Sequence, residues 1–171
     1  MREQDQLRLF ELHPGEHEQL STQELPANAQ RVFGDGLAGL EAMLPAITPR
    51  LSVLIDPSYE RKVEYLEVAD TVAYTLEKAR HAVVLIWYPL LPAGHHHTLL
   101  DALQESGQRK IWRSELLLRE PGEQVHGMFG SGMLVINPPW GLDERLAAAM
   151  AEITPLLGSS SRYQADWWVG E

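Results

Sequence analysis

Apolar and polar residues follow two rhythms along this chain, and the rhythm changes where proline and glycine fall. Short apolar runs predict strands at Leu7–Leu12, Arg31–Phe33, Ser52–Ile55, Ala82–Trp87, Ile111–Leu118, Gly132–Ile136 and Gln164–Val169. Helices are predicted between them at Glu16–Leu25, Leu37–Leu44, Thr98–Glu105 and Leu142–Leu157. The clearest helix carries Val63, Leu66, Val68, Ala69, Val72, Ala73, Leu76 and Ala79 at helical spacing. Turn residues punctuate the strands: His13-Pro14-Gly15, Gly34-Asp35-Gly36, Tyr88-Pro89, Pro121-Gly122 and Asn137-Pro138-Pro139-Trp140. Such alternation predicts an α/β sandwich with a largely parallel sheet and short helical crossovers. Ligands of such sheets sit beyond the carboxyl ends of the strands. Glu11, Asp35, Asp56 and Asn137 fall at predicted strand ends.

The 171 residues are 44% hydrophobic and 22% charged, the composition of one globular domain. Cysteine is absent, which excludes disulfides, Cys-ligated zinc, iron–sulfur clusters and thiol catalysis. No apolar run reaches the roughly 18 residues of a spanning helix, and the start MREQDQLRLF has no secretory core. A cytoplasmic protein without a membrane partner is expected. Fourteen basic against 24 acidic residues give a net charge of −10, with ten of the acids and only four of the bases in residues 1–60. That balance is a poor match to nucleic acid, whose phosphates need cations.

The segment Val53-Leu54-Ile55-Asp56-Pro57-Ser58-Tyr59 has a mechanism attached. An exocyclic base amine is a poor nucleophile because its lone pair is delocalised into the ring. A carboxylate and a main-chain carbonyl that accept its N–H bonds favour the geometry in which the lone pair attacks. An aromatic ring fixes the plane of an extracted base. Asp56, the Pro57 carbonyl and Tyr59 supply these three parts; a plain strand-end turn is the competing reading. Asn137-Pro138-Pro139-Trp140 fits a polar–Pro–Pro–aromatic pattern more literally than the first segment does, yet a proline-rich strand exit with Trp140 packed on the core is the favoured reading there. Pattern alone does not choose between the two segments.

Several stretches in register resemble one family: Arg2-Glu3-Gln4-Asp5, Glu11-Leu12-His13-Pro14, Asp35-Gly36, Leu54-Ile55-Asp56-Pro57-Ser58-Tyr59-Glu60, Trp87-Tyr88-Pro89, Arg109-Lys110-Ile111 and Ser131 to Trp140. Over essentially its whole length the chain resembles the C-terminal portion of the bacterial 23S ribosomal RNA adenine-N6 methyltransferases, enzymes with a Rossmann-like, S-adenosylmethionine-dependent domain. The resemblance implies that Asp56, Pro57 and Tyr59 are catalytic. It implies that Glu11 holds the cofactor ribose, that Asp35 and Gly36 lie beside its adenine, and that Asp56 also borders the methyl donor. Asn137-Pro138-Pro139-Trp140 then falls on a late strand outside the catalytic motif.

Two departures stand out. Ser58 replaces a second proline of the family motif, which removes backbone stiffness worth about 0.4–1 kcal/mol but keeps the Pro57 acceptor. The family's first strand, with its glycine-rich cofactor turn, and its N-terminal helical insertion have no counterpart here. The expected fold is therefore an incomplete methyltransferase domain, residues 1–171 being its C-terminal portion. Its strands would form two sheet pieces with unpaired inner edges. The expected origins are a truncated product, a mis-assigned start, or half of a split protein whose N-terminal part is a separate chain. Alone it is expected to bind S-adenosylmethionine poorly and to meet 23S ribosomal RNA only through the complete protein. The competing class is a non-catalytic α/β remnant or interaction subunit without a working cofactor site.

No metal site is expected. Adjacent side chains of His95-His96-His97 do not converge on one point, so a solvated loop is predicted there. His13 is read equally as a pocket or a capping residue. His126, Ser131 and Asp101 have no triad spacing, the basic cluster Arg109, Lys110 and Arg113 reads as a solvated helix-to-strand junction ahead of an RNA-phosphate contact, and Trp112, Trp167 and Trp168 read as sheet packing.

Overall fold

The computed structural model describes residues 2–47, 50–120 and 127–171. The predicted Pro121-Gly122 turn and His126 lie outside the described residues. The chain divides into two compact units, Met1–Leu44 and Pro45–Glu171.

The first unit holds β1 (Leu7–Glu11), α1 (Pro14–Ser21), β2 (Ala29–Phe33) and α2 (Gly36–Ala42). β1 and β2 pair in parallel, with Glu11 opposite Phe33. His13 caps α1, its Nδ1 accepting from the Glu16 amide at 3.4 Å, and Pro14 opens the helix where a missing N–H costs nothing. α2 packs on β1 through its glycines. A Cβ at Gly36 would meet the Phe10 Cβ at 3.3 Å, and one at Gly39 would overlap the Phe10 ring.

The second unit holds β3 (Ser52–Ile55), α3 (Glu64–Lys78), β4 (Val83–Leu90), α4 (His96–Glu105), β5 (Ile111–Leu117), β6 (Gly130–Ile136), α5 (Leu142–Ile153), a 3₁₀ turn (Thr154–Leu157) and β7 (Arg162–Val169). The strands form one five-stranded sheet in the order β3-β4-β6-β5-β7. Among the described residues β1 and β3 each pair on one side only.

The expectation of a largely parallel sheet is corrected here. Only β3 and β4 are parallel neighbours in this sheet, and β6 runs against both β4 and β5, as β7 runs against β5. Parallel neighbours need a helical crossover. The α4 crossover does return the chain to the direction of β4, but β6 inserts between β4 and β5 without a crossover helix of its own. β6 therefore enters the sheet reversed.

Val84, Ile86, Leu134, Ile136 and Ile111 lie on one face of the sheet and are buried, as are Leu99, Leu100 and Leu103 of α4. α3 buries Tyr65, Val68, Ala69, Val72 and Leu76, each large apolar side chain worth about 1.5–3 kcal/mol relative to exposure. Glu64 and Glu67 sit in its first turn and Lys78 in its last, as the helix dipole favours. Val63 and Leu66, counted toward the apolar face by spacing, are exposed, so that face lies slightly round from the predicted one.

β4 continues past the predicted stop at Tyr88-Pro89 to Leu90. β3 ends opposite Ile86, so Pro89 has a strand on one side only, and a proline is tolerated at such an edge.

Candidate active site

In the first unit the parallel pairing brings Glu11 and Asp35 to one end of the two strands. Glu11 is the last residue of β1, and Asp35 follows β2 by two residues. Each carboxylate uses one oxygen on the main chain. Glu11 Oε1 accepts from the His13 amide at 2.7 Å. Asp35 Oδ1 accepts from the amides of Leu37 at 2.8 Å and Ala38 at 3.4 Å and so caps α2. Among the described residues no bond reaches the second oxygen of either, which leaves an acceptor of the kind that ribose hydroxyls and an adenine amine can donate to. The two carboxylates thus offer acceptors of the chemistry that a nucleoside's hydroxyls and amine would meet. Gly36, first residue of α2, is half-buried against Phe10.

In the second unit Asp56 follows Ile55, the last residue of β3, at the carboxyl end of the parallel pair β3-β4. Its carboxylate is exposed and makes no hydrogen bond or ion pair among the described residues. Pro57 is half-buried and Ser58 exposed. Tyr59 turns inward, 7% exposed, with a left-handed backbone (φ 54°) that non-glycine residues seldom adopt. Its hydroxyl donates to the Trp87 carbonyl at 2.8 Å. Its ring stacks on Tyr65 with centroids 4.3 Å apart and tilts against Trp87. Burial, with Tyr65, Asp56 and Glu64 nearby, pushes the Tyr59 phenol well above its usual range, so the hydroxyl stays protonated as a donor.

Tyr65 and Trp87 are the supporting residues that sequence reasoning missed. Tyr65 lies three residues before Val68 and four before Ala69, a helical spacing that marks it as part of the buried face. Trp87 stood in the family-like stretch Trp87-Tyr88-Pro89 without a role.

The remaining candidates separate from this end. Because β6 is antiparallel, Asn137 lies at the opposite end of the sheet from Asp56. Its Nδ2 donates to the carbonyls of Arg80 and Ala82 at the start of β4, at 3.0 and 2.9 Å. Trp140 does not pack on the core; it is 95% exposed, and Trp167 is 48% exposed, so only Trp112 and Trp168 pack as predicted. The histidine run is not a solvated loop. His96 opens α4 and is buried at 7% exposure, while His97 is exposed. No group of three or more His, Asp or Glu residues among those described is placed to hold a metal ion. Arg113 pairs with Asp166, Lys110 with Glu171, and Arg109 donates to the Glu171 carbonyl, as a junction of paired surface cations.

Residues 1–169 match the family model described as "Ribosomal RNA large subunit methyltransferase D, RlmJ". The chain belongs to this family. As a member of the large-subunit ribosomal RNA methyltransferases it is 36% identical over 147 residues to "Ribosomal RNA large subunit methyltransferase J" of Escherichia coli (strain K12), which covers 85% of this chain and 52% of that protein. It is 35% identical over 158 residues to the protein of the same description from Haemophilus influenzae, covering 92% of this chain and 54% of that one. A crystal structure of the Legionella pneumophila protein LPL1258 superposes with a TM-score of 0.86 at 32% identity, over 98% of this chain and 62% of that one. The mixed α/β fold is therefore that of the methyltransferase family. The chain spans about half the length of the curated relatives it matches.

Proposed function

We propose that residues 1–171 are the C-terminal portion of a single S-adenosylmethionine-dependent methyltransferase domain that acts in the cytoplasm on the N6 amine of an adenine in 23S ribosomal RNA. The observation that carries this reading is the unengaged carboxylate of Asp56 at the carboxyl end of β3, followed by Pro57 and the braced ring of Tyr59. The methyl donor supplies an electrophilic methyl group when bound. Asp56 accepts one N–H of the adenine amine and the Pro57 carbonyl accepts the other, which turns the nitrogen lone pair out of conjugation. The amine gains the methyl and loses one proton, for which the Asp56 carboxylate is the nearest acceptor. Tyr59, held by Trp87 and stacked on Tyr65, is the motif's aromatic for fixing the plane of the base. Glu11 and Asp35 hold the ribose and adenine of the donor, with Gly36 keeping that wall close to Phe10.

The two-piece sheet, with β1 and β3 each paired on one side, supports an incomplete domain. In this reading the family's first strand and its glycine-rich turn belong to another part of the same protein or to a separate chain. The RNA-contacting surface belongs largely to that part, which accounts for the net charge of −10 on this one. The same observation favours a second reading for the chain in isolation, an α/β remnant or interaction subunit without a working cofactor site. Calorimetric titration with S-adenosylhomocysteine separates the two, since micromolar binding by the 171 residues alone overturns the remnant reading. In a version completed with its upstream segment, Asp56→Ala should abolish methyl transfer without altering the circular dichroism spectrum. Retained turnover would sink the catalytic assignment.

A further inference from the structure

At the end of the sheet away from Asp56, a cavity of about 390 Å³ opens between the start of β5, the exits of β6 and β7 and the first turn of α5. Trp112, Pro138, Pro139, Trp140 and Trp167 form its apolar walls. Leaving an indole 95% exposed, as Trp140 is, forgoes the burial that a tryptophan normally contributes. The turn that carries it is nevertheless firmly built. Asn137 is anchored by two side-chain bonds to the start of β4, and its amide donates to the Lys110 carbonyl at 3.0 Å. Gly141 supplies a left-handed residue (φ 70°), and the Arg145 guanidinium donates to the carbonyls of Trp140 and Gly141. A rigid turn that presents an exposed indole has already lost the freedom that binding would otherwise remove.

The rim fixes the sign of the ligand. Among the lining residues Asp143, Glu144 and Glu171 stand against one cation, Lys110, whose ammonium is engaged by Glu171 at 3.0 Å, while the Arg145 guanidinium is bonded to the carbonyls of the turn. Asp143 and Glu144 pair with no cation among the described residues. They favour the N-terminus of α5 through its dipole, yet they also repel phosphate from this groove. Tryptophan-lined grooves accept proline-rich segments because the polyproline helix is already extended and its rings stack on indoles. We infer that this groove is a docking site for a basic, proline-containing peptide segment, its proline rings against Trp140 and Trp167 and its arginine or lysine side chains against Asp143 and Glu144. The inference is independent of the catalytic reading, which concerns the other end of the sheet.

The test uses the 171-residue chain, a short polyproline peptide with arginines at both ends, and intrinsic tryptophan fluorescence backed by calorimetry. Saturable binding is expected. It should weaken at least tenfold in Trp140→Ala, whose exposed side chain is not needed for folding. It should weaken several-fold in Asp143→Asn with Glu144→Gln, with a reduced dependence on salt. Circular dichroism confirms that the variants are folded. Equal affinity of Trp140→Ala and the native chain overturns the site, and so does equal binding of an alanine-based peptide of the same charge. Preferential binding of single-stranded oligoadenylate, lost in Trp140→Ala, overturns the peptide assignment in favour of nucleic acid.

Discussion

Tyr88 lies across Gly132. The two residues are register partners on β4 and β6, and the tyrosine ring occupies the space a side chain at 132 would fill. Glu115 is the next residue in the same row on β5, and Gln164 follows on β7. The absence of a side chain on β6 lets the Tyr88 hydroxyl donate to Glu115 Oε1 at 2.7 Å, one strand beyond its neighbour. Gly132→Ala therefore forces the ring aside and is expected to destabilise the chain by about 1–3 kcal/mol or more. In a Tyr88→Ala background the same substitution should cost far less, because the space is vacant. Urea denaturation of the four proteins of this cycle measures the coupling. Additive costs would show that the two residues do not compete for one volume.

Glu115 is buried at 5% exposure and accepts from two donors, Tyr88 on Oε1 and the Gln164 side chain on Oε2 at 2.6 Å. The donors are not equivalent. Tyr88 is fully buried, whereas Gln164 is exposed. Tyr88→Phe strands a buried carboxylate oxygen and should cost about 1–3 kcal/mol. Gln164→Ala admits water in its place and should cost less than about 1 kcal/mol. Denaturation midpoints of the single variants decide the order.

His96 stacks on Tyr88 with ring centroids 5.8 Å apart, and its Nδ1 is buried without a partner among the described residues. Burial pulls its pKa down to about 4, helped by His97, His95 and Arg113 and opposed by Glu115. The folded chain thus keeps this imidazole neutral while the unfolded chain protonates it near pH 6.5. Between those values the unfolded state binds more protons, so stability is full above about pH 6.5 and falls as the pH drops toward 4, by up to about 3 kcal/mol. His96→Phe keeps the stack on Tyr88 and removes the titration. Its stability should lose this slope between pH 6.5 and 4 while matching or exceeding the native chain at pH 7. An unchanged slope would assign the acid lability to other groups.

The elements were legible because each carries its own period and its own stop. Ser52–Ile55 was predicted residue for residue, and α3 was found within a residue at either end. The sheet order was not legible. Nothing local to Gly130–Ile136 announces that it inserts, reversed, between β4 and β5, since that depends on which edges remain open once α4 has crossed. The same reversal moves Asn137, which counting strand ends groups with Asp56, to the opposite end of the sheet. At the candidate site the motif named Asp56, Pro57 and Tyr59, but not the brace. The bond from Tyr59 to Trp87 spans 28 residues, and no periodicity connects them. His96 was missed for a related reason: three consecutive histidines look solvent-loving as a run, whereas a helix sends each to a different side.

Asn137 joins the sheet to the tryptophan turn, and its two roles separate in substitution. Its backbone is left-handed (φ 52°), a conformation that costs other L-residues roughly 1–2 kcal/mol and that glycine adopts readily. Its side chain donates the two bonds to Arg80 and Ala82, each contributing about 1 kcal/mol. Asn137→Gly loses only the bonds, and Asn137→Ala loses the bonds and strains the backbone. Alanine should therefore be the more damaging by about 1 kcal/mol in urea denaturation, and equal costs would show that the left-handed conformation is not what selects asparagine. Neither variant alters a residue that lines the groove. Because both loosen the turn that holds Trp140 out from the sheet, both should weaken polyproline binding, alanine more than glycine. The loss should appear as a less favourable binding entropy at unchanged apolar contact, which calorimetry reads directly.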